Sequence, residues 1–146
     1  VVKFKFIYTM TTKVRHILTS LQLACLPEDE PMATNEGYWW LGFDGKQSAA
    51  FCSSRPSSQW EDAMYMSRCG VLPAWRGKGL QRKMLSIRER HARKLGYTWS
   101  ITDTTENPAS ANNLIRSKYK IIEPSSPWGL NEQTIYWTKC LTKTPK

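Results

Sequence analysis

The residues best suited to chemistry lie together in one run, Cys69-Gly70-Val71-Leu72-Pro73-Ala74-Trp75-Arg76-Gly77-Lys78-Gly79-Leu80-Gln81-Arg82. An apolar stretch ends, glycines follow at short spacing, and an amphipathic stretch begins at once. Gly77 and Gly79 let backbone N–H groups converge with no Cβ in the way. A helix starting there adds unpaired donors and the positive end of its dipole. Arg76, Lys78, Arg82 and Lys83 add full charges. A loop of this kind is suited to cradling a pyrophosphate. Two familiar nucleotide patterns fit badly. A P-loop needs G-x-x-x-x-G-K-[ST], and a dinucleotide fingerprint needs a glycine where this chain has Arg82. The plain alternative is a tight strand-to-helix turn with a basic helix beyond it.

Other reactive groups are scattered. Glu61 and Asp62 stand just ahead of an apolar strand and are candidate bases, acting directly or through water. Cys25, Cys52, Cys69 and Cys140 form no CxxC pair and have no nearby histidine, so no metal site is expected and reduced thiols are the simpler reading. His16 reads as an ordinary helix residue.

The elements that must position these groups follow from periodicity and punctuation. Val2 to Met10 alternates like a strand. Thr11-Thr12 caps a helix to about Cys25, with Val14, Ile17, Leu18, Leu21 and Cys25 on one stripe and Pro27 beyond its end. Tyr38 to Phe43 and Gln47 to Cys52 make a hairpin around Asp44-Gly45-Lys46. Ser53 to Gln59 reads as a loop, and Ala63 to Val71 as a central strand. Leu80 to Leu95 is the clearest helix, its stripe running Leu80, Met84, Ile87, His91, Leu95, with Gly96 as its cap. Tyr97 to Thr102 is a strand. Asn107 and Pro108 open a helix to about Lys118. Ile121-Ile122 and Thr134 to Leu141 close the chain as strands. The expected class is α/β: one domain over residues 1–146, with a mixed, mostly antiparallel central sheet flanked by helices.

The chain has 146 residues, 21 Lys and Arg against 12 Asp and Glu, and a net charge of +9, a balance that favours an anionic partner. No apolar run approaches the roughly 20 residues needed to cross a bilayer. The opening Val1-Val2-Lys3-Phe4-Lys5-Phe6 does not read as a signal peptide, so the cytoplasm is the expected compartment.

The stretch Val71-Leu72-Pro73-Ala74-Trp75-Arg76-Gly77-Lys78-Gly79-Leu80 resembles the acetyl-CoA loop of the GNAT family of N-acetyltransferases, whose motif is [QR]-x-x-G-x-[GA]. Arg76 matches its first position and Gly79 its fourth, while Gln81 stands where the family has Gly or Ala. The order of elements is also similar, so the resemblance covers nearly the whole chain. It implies acetyl-CoA as co-substrate, an amine as acceptor and direct acetyl transfer between them. By this resemblance, backbone N–H groups from Arg76 through Gly77, Lys78, Gly79 and Gln81 to Arg82 hold the pyrophosphate. Val71 pairs its backbone with the pantetheine arm, and Asn107 contacts that arm near its amides. A bulge at Cys69-Gly70 turns the Cys69 backbone N–H toward the thioester carbonyl. The family often places a tyrosine acid where this chain has Leu114; Tyr119 and Tyr65 are other candidates, though neither matches by register. Lys118-Tyr119 stands where the family usually has Gly-Phe.

Two other readings compete. Arg82, Lys83, Arg88, Arg90, Arg93 and Lys94 could track phosphates in a nucleic-acid-binding module, although they surround the helix and no RNA- or DNA-binding motif accompanies them. A non-catalytic acyl-CoA-binding relative would keep the cradle without the chemistry, as Leu114 suggests. Small-molecule and protein amines both fit as acceptors. The acidic loop Glu28-Asp29-Glu30 hints at a cationic one. Trp128, in a loop between Pro127 and Gly129, is the tryptophan expected to touch it. Trp39 and Trp40 face opposite sides of a strand, so at most one can line a pocket.

Overall fold

The structure, a computed structural model, describes residues 1–129 and 131–142. Its strands are β1 (Lys3–Phe6), β2 (Tyr38–Asp44), β3 (Gln47–Pro56), β4 (Ala63–Val71), β5 (Trp99–Thr105), β6 (Lys120–Ile122) and β7 (Thr134–Cys140). Its helices are α1 (Thr12–Cys25), α2 (Leu80–Lys94) and α3 (Pro108–Arg116), with a 3-10 turn at Pro73–Trp75. The element order is the one the sequence predicts. The strands form one seven-stranded sheet in the order β1-β2-β3-β4-β5-β7-β6. β4 and β5 are parallel, while β1–β2, β2–β3, β5–β7 and β6–β7 are antiparallel. The fold is therefore α/β with a mixed sheet. Among the described residues, no helix is long and apolar enough to cross a membrane.

The chain divides into two compact units. The first is Val1–Arg55 with Ser67–Met84. Its core joins Leu18 and Leu21 of α1 to Trp39, Leu41 and Phe51 of the hairpin, with Val14, Ile17 and Cys25 packed against them. Burying each large apolar side chain of this kind stabilises the fold by roughly 1.5–3 kcal/mol. Trp39 and Trp40 are both buried, at 1% and 4% exposure, so neither lines a pocket. Thr11 caps α1 by accepting the Val14 N–H. Gly70 lets the helix lie directly on β4, since a Cβ there would come within 2.6 Å of the Cys25 Cβ and 2.7 Å of the Phe51 ring.

The second unit is Pro56–Met66 with Leu85–Lys146. β5 and β7 pair from Trp99↔Cys140 to Thr105↔Thr134, and β4 joins β5 in parallel from Ala63↔Trp99 to Tyr65↔Ile101. α3 ends in two nested hydrogen bonds, Lys118 N–H to the Ile115 carbonyl and Tyr119 N–H to the Leu114 carbonyl. This Schellman arrangement requires a left-handed residue at Lys118, whose φ is 71°.

Three strand boundaries and one helix face differ from expectation. β1 stops at Phe6 because the chain turns through Thr9 into α1, although the Ile7 N–H still reaches the Trp39 carbonyl. β3 continues to Pro56 where the serines suggested a loop; Ser53 and Ser54 are fully buried. β5 runs to Thr105, because its threonines pair with β7. The core side of α2 carries Leu80, Met84, Leu85, Arg88, Glu89 and Ala92, while Leu95 is exposed. The buried Glu89 makes this arrangement feasible by pairing with Lys139 at 2.9 Å.

Candidate functional site

Within the first unit, the chain from Val71 to Arg82 is fastened from several sides. The Leu72 N–H donates to the Ala49 carbonyl, and the Trp75 and Arg76 N–H groups close the turn onto Leu72 and Pro73. The Trp75 indole N–H donates to Asp44 in the hairpin turn at 2.9 Å, which helps hold the Asp44 carboxyl below its usual range. Arg76 bends back so that its Nε–H donates to the Val71 carbonyl at 3.0 Å. Gly77 and Gly79 both have left-handed φ, 78° and 74°, a region that side chains with a Cβ rarely adopt. A Cβ on either would meet no protein atom within 4 Å. The Lys83 N–H closes the first turn of α2 onto the Gly79 carbonyl. The N-terminus of α2, whose first N–H groups have no partner within the helix, therefore stands beside the exposed side chains of Arg76, Lys78 and Arg82. Unpaired helix N-terminal donors beside exposed cations are an arrangement chemically suited to an anion.

Not every group expected here contributes. The Lys83 ammonium donates to the Val2 carbonyl at 3.3 Å and lies over the Phe4 ring, so it braces β1 rather than the cradle. Val71 already has its carbonyl engaged by Arg76. Cys69 is half-buried in β4 and carries a free thiol. Just before it, the Arg68 N–H donates to the Ser53 hydroxyl at 3.2 Å. Burial raises the neighbouring Cys25 thiol pKa, and Arg76 opposes that rise. Among the described residues, no group of three or more metal-ligating side chains converges.

In the second unit, Asn107 caps α3, its side-chain oxygen accepting the Ser110 N–H at 3.1 Å. Asp62 is structural: φ is 62°, its carboxylate accepts the Thr98 hydroxyl, and its carbonyl accepts the Thr98 and Trp99 N–H groups. Glu61 is exposed and, among the described residues, makes no hydrogen bond or ion pair. Leu114 is buried. Tyr119 is 4% exposed and shares a hydrogen bond with Ser100 at 2.6 Å; burial and then Glu89 push its pKa well above the ordinary tyrosine value. It is a core residue rather than a proton donor.

Tyr65 has a different environment. Its hydroxyl donates to Asp103 Oδ2 at 2.6 Å, and the Trp128 indole N–H donates to the same oxygen at 2.8 Å. Trp128 stands nearly edge-on to Tyr65 and to Tyr136, at 77° and 74°. Tyr136 is the cross-strand partner of Asp103 and accepts the Gly129 N–H, which secures the loop. Sequence reasoning singled out Tyr65 and Trp128 but not Asp103. The alternation of Asp103 with buried Thr102 and Thr104 in β5 was the available signal.

Two of the basic residues that could track phosphates are engaged within the fold. Arg88 is 4% exposed, and Arg93 donates to the Leu141 carbonyl and pairs with Glu89.

The sequence matches the model of the acetyltransferase (GNAT) family over residues 11–116, a span that includes the cradle and α3. No curated protein matches. The solved structures that share the fold include the following three. One is the yncA protein of Salmonella typhimurium with its cofactor acetyl-CoA, at TM-score 0.75 and 14% identity, covering 100% of this chain and 97% of that one. Another is a Bacillus subtilis acetyltransferase in complex with CoA, at 0.73 and 13%, covering 97% and 100%. The third is the ribosomal-protein-S18-alanine N-acetyltransferase of Escherichia coli, at 0.73 and 12%, covering 100% and 97%.

Proposed function

The chain belongs to the GNAT acetyltransferase family, and on that premise we propose that it transfers an acetyl group from acetyl-CoA directly to an amine. The observation that carries this reading is the cradle: two left-handed glycines at the N-terminus of α2, flanked by exposed cations and open above. Backbone N–H groups of Arg76, Gly77, Lys78, Gly79, Gln81 and Arg82 would hold the pyrophosphate, with the Arg82 and Lys78 side chains adding charge. The Gln81 side chain, in place of the family's small residue, leaves the main-chain donor in place. Val71 would meet the pantetheine arm through its backbone N–H, since its carbonyl is held by Arg76. The bound co-substrate supplies an acetyl thioester, whose sulfur is a good leaving group.

The backbone N–H of Cys69 would polarise the thioester carbonyl, and removing one donor of this kind typically costs about 2.7–4 kcal/mol of transition-state stabilisation. The thiol of Cys69 takes no part. As the amine nitrogen bonds to the acetyl carbon, the carbon–sulfur bond breaks. The amine's proton leaves to solvent, where exposed Glu61 would act only through water, and the thiolate leaves without a dedicated tyrosine acid. The test is acetyl-CoA with a panel of primary amines, read by free thiol release and by the mass of the acetylated product. Amine-dependent thiol release with a product heavier by one acetyl group supports transfer. Tight acetyl-CoA binding with no turnover on any amine would instead favour a non-catalytic relative.

A further inference from the structure

Asp103 is a half-buried carboxylate with no ion-pair partner among the described residues, in a chain whose net charge is +9. Its circumstances differ from those of Glu89, which the fold neutralises with Lys139. Two neutral donors, the Tyr65 hydroxyl and the Trp128 indole, both reach Oδ2. Oδ1 accepts no hydrogen bond from a described residue and is not buried. Partial desolvation of a carboxylate is unfavourable unless a cation or several donors offset it. Here two donors on Oδ2 offset part of that cost, and among the described residues no cation offsets the rest.

Granting the acetyl-transfer reading above, we propose that Tyr65, Asp103 and Trp128 recognise a primary ammonium group on the acceptor. The open Oδ1 supplies the negative charge, and the half-buried rings of Tyr65 and Trp128 supply π faces that attract a cation. The cluster is held in shape from behind. Tyr136 packs 4.6 Å from Trp128 and anchors the Gly129 N–H, and it faces Asp103 across the β5–β7 ladder. The hydrogen bonding also sets a preference among cations. A guanidinium binds best with two parallel bonds to both carboxylate oxygens, and Oδ2 is already taken by two donors. An ammonium is a compact charge that one oxygen satisfies. The acceptor class is therefore an aliphatic primary amine, protonated when it docks, in preference to an arginine-like group or a neutral arylamine.

The test uses the full chain and needs no turnover. The Trp128 indole N–H resonance, assigned with Trp128→Phe, is followed while n-butylammonium, n-butylguanidinium or n-butanol is added. The expected result is a saturable shift with butylammonium, affinity about tenfold weaker for butylguanidinium, and none for butanol. Asp103→Asn should weaken butylammonium binding about tenfold or more. Should that variant not fold, Tyr65→Phe keeps the carboxylate and frees part of Oδ2. It must retain butylammonium binding within about threefold and narrow the gap to butylguanidinium. No saturable shift with butylammonium, equal affinity in Asp103→Asn, or an unchanged preference in Tyr65→Phe would each overturn the pocket. If acetyl-CoA still raises the melting temperature of the parent, the acetyltransferase reading survives that failure. If the shift is present but acetyl-CoA neither binds nor reacts, the pocket survives and the acetyltransferase reading falls.

Discussion

The loop from Val71 to Arg82 and the cluster of Tyr65, Asp103 and Trp128 handle charge in opposite ways. The loop gathers backbone donors and exposed cations around open space, with Gly77 and Gly79 in left-handed conformations. The cluster surrounds one carboxylate with neutral donors and aromatic rings and, among the described residues, gives it no cation. The first is suited to a phosphorylated ligand and the second to an ammonium, the two charge types a transfer from acetyl-CoA to an amine must manage. They also differ in construction. The loop is local and its chemistry is mostly main-chain. The cluster brings together side chains from three distant stretches, with Tyr65 and Asp103 separated by 38 positions.

The comparison is broken most severely by moving charge. Arg82→Glu should weaken acetyl-CoA binding about tenfold or more, as expected when a charge-assisted contact to phosphate becomes repulsive. Arg90→Glu, later on the same helix, should leave that affinity nearly unchanged. Calorimetric titration of both variants checks this, and equal losses would mean that helix charge in general, not the cradle, holds the ligand.

A smaller effect concerns alkaline stability. The folded pKa values of Tyr119 and Cys25 are raised from ordinary values of 10.0 and 9.0, so the folded state holds these protons more tightly than the unfolded chain does. Their contribution is fully present below those values and is lost as pH rises above them. The melting temperature should therefore fall as pH is raised above about 9, and fall further above about 10. Tyr119→Phe should flatten the second part of that fall. A melting curve that does not change with pH in this range would contradict the buried, protonated Tyr119.

Smaller again is Lys118→Gly. Lys118 holds the left-handed position that closes α3, at φ 71°. Glycine there should stabilise the chain by about 1 kcal/mol, measured by denaturant unfolding. The smallest effect is expected for Cys69→Ala, which keeps the backbone donor and removes the thiol. Most turnover should survive; loss of activity in a folded variant, with an acetylated cysteine trapped in the parent, would replace direct transfer with a covalent relay.

The difference in construction also explains what could be read in the sequence. β4 appears with the bounds expected of it, and the strand–loop–helix order around Gly77 and Gly79 was legible because glycine spacing, a strand end and a helix start are all local signals. The β3 extension was not, because Ser53 and Ser54 have the composition of a loop; only burial against neighbouring elements makes them strand. The core side of α2 was misread for a similar reason. Arg88 and Glu89 look like surface residues until Lys139, distant in sequence, is known to pair with Glu89. Lys83 looked like a phosphate ligand because its use by Val2 and Phe4 depends on tertiary packing. Asp103 was passed over because its meaning lies in two long-range hydrogen bonds.

The central claim is that the Val71–Arg82 loop binds acetyl-CoA through its backbone, and Gly79 tests it most directly. Valine at this left-handed position is strained, of order 1–3 kcal/mol, and its side chain would enter the open space over the cradle. Melting curves are measured for the parent and Gly79→Val, with and without acetyl-CoA. At 100 times its dissociation constant the ligand should stabilise the parent by about 2.7 kcal/mol. The account predicts that this increment disappears in a variant that still unfolds cooperatively, with a moderately lower starting temperature. An equal ligand-induced increment in both proteins, or none in the parent, would contradict it.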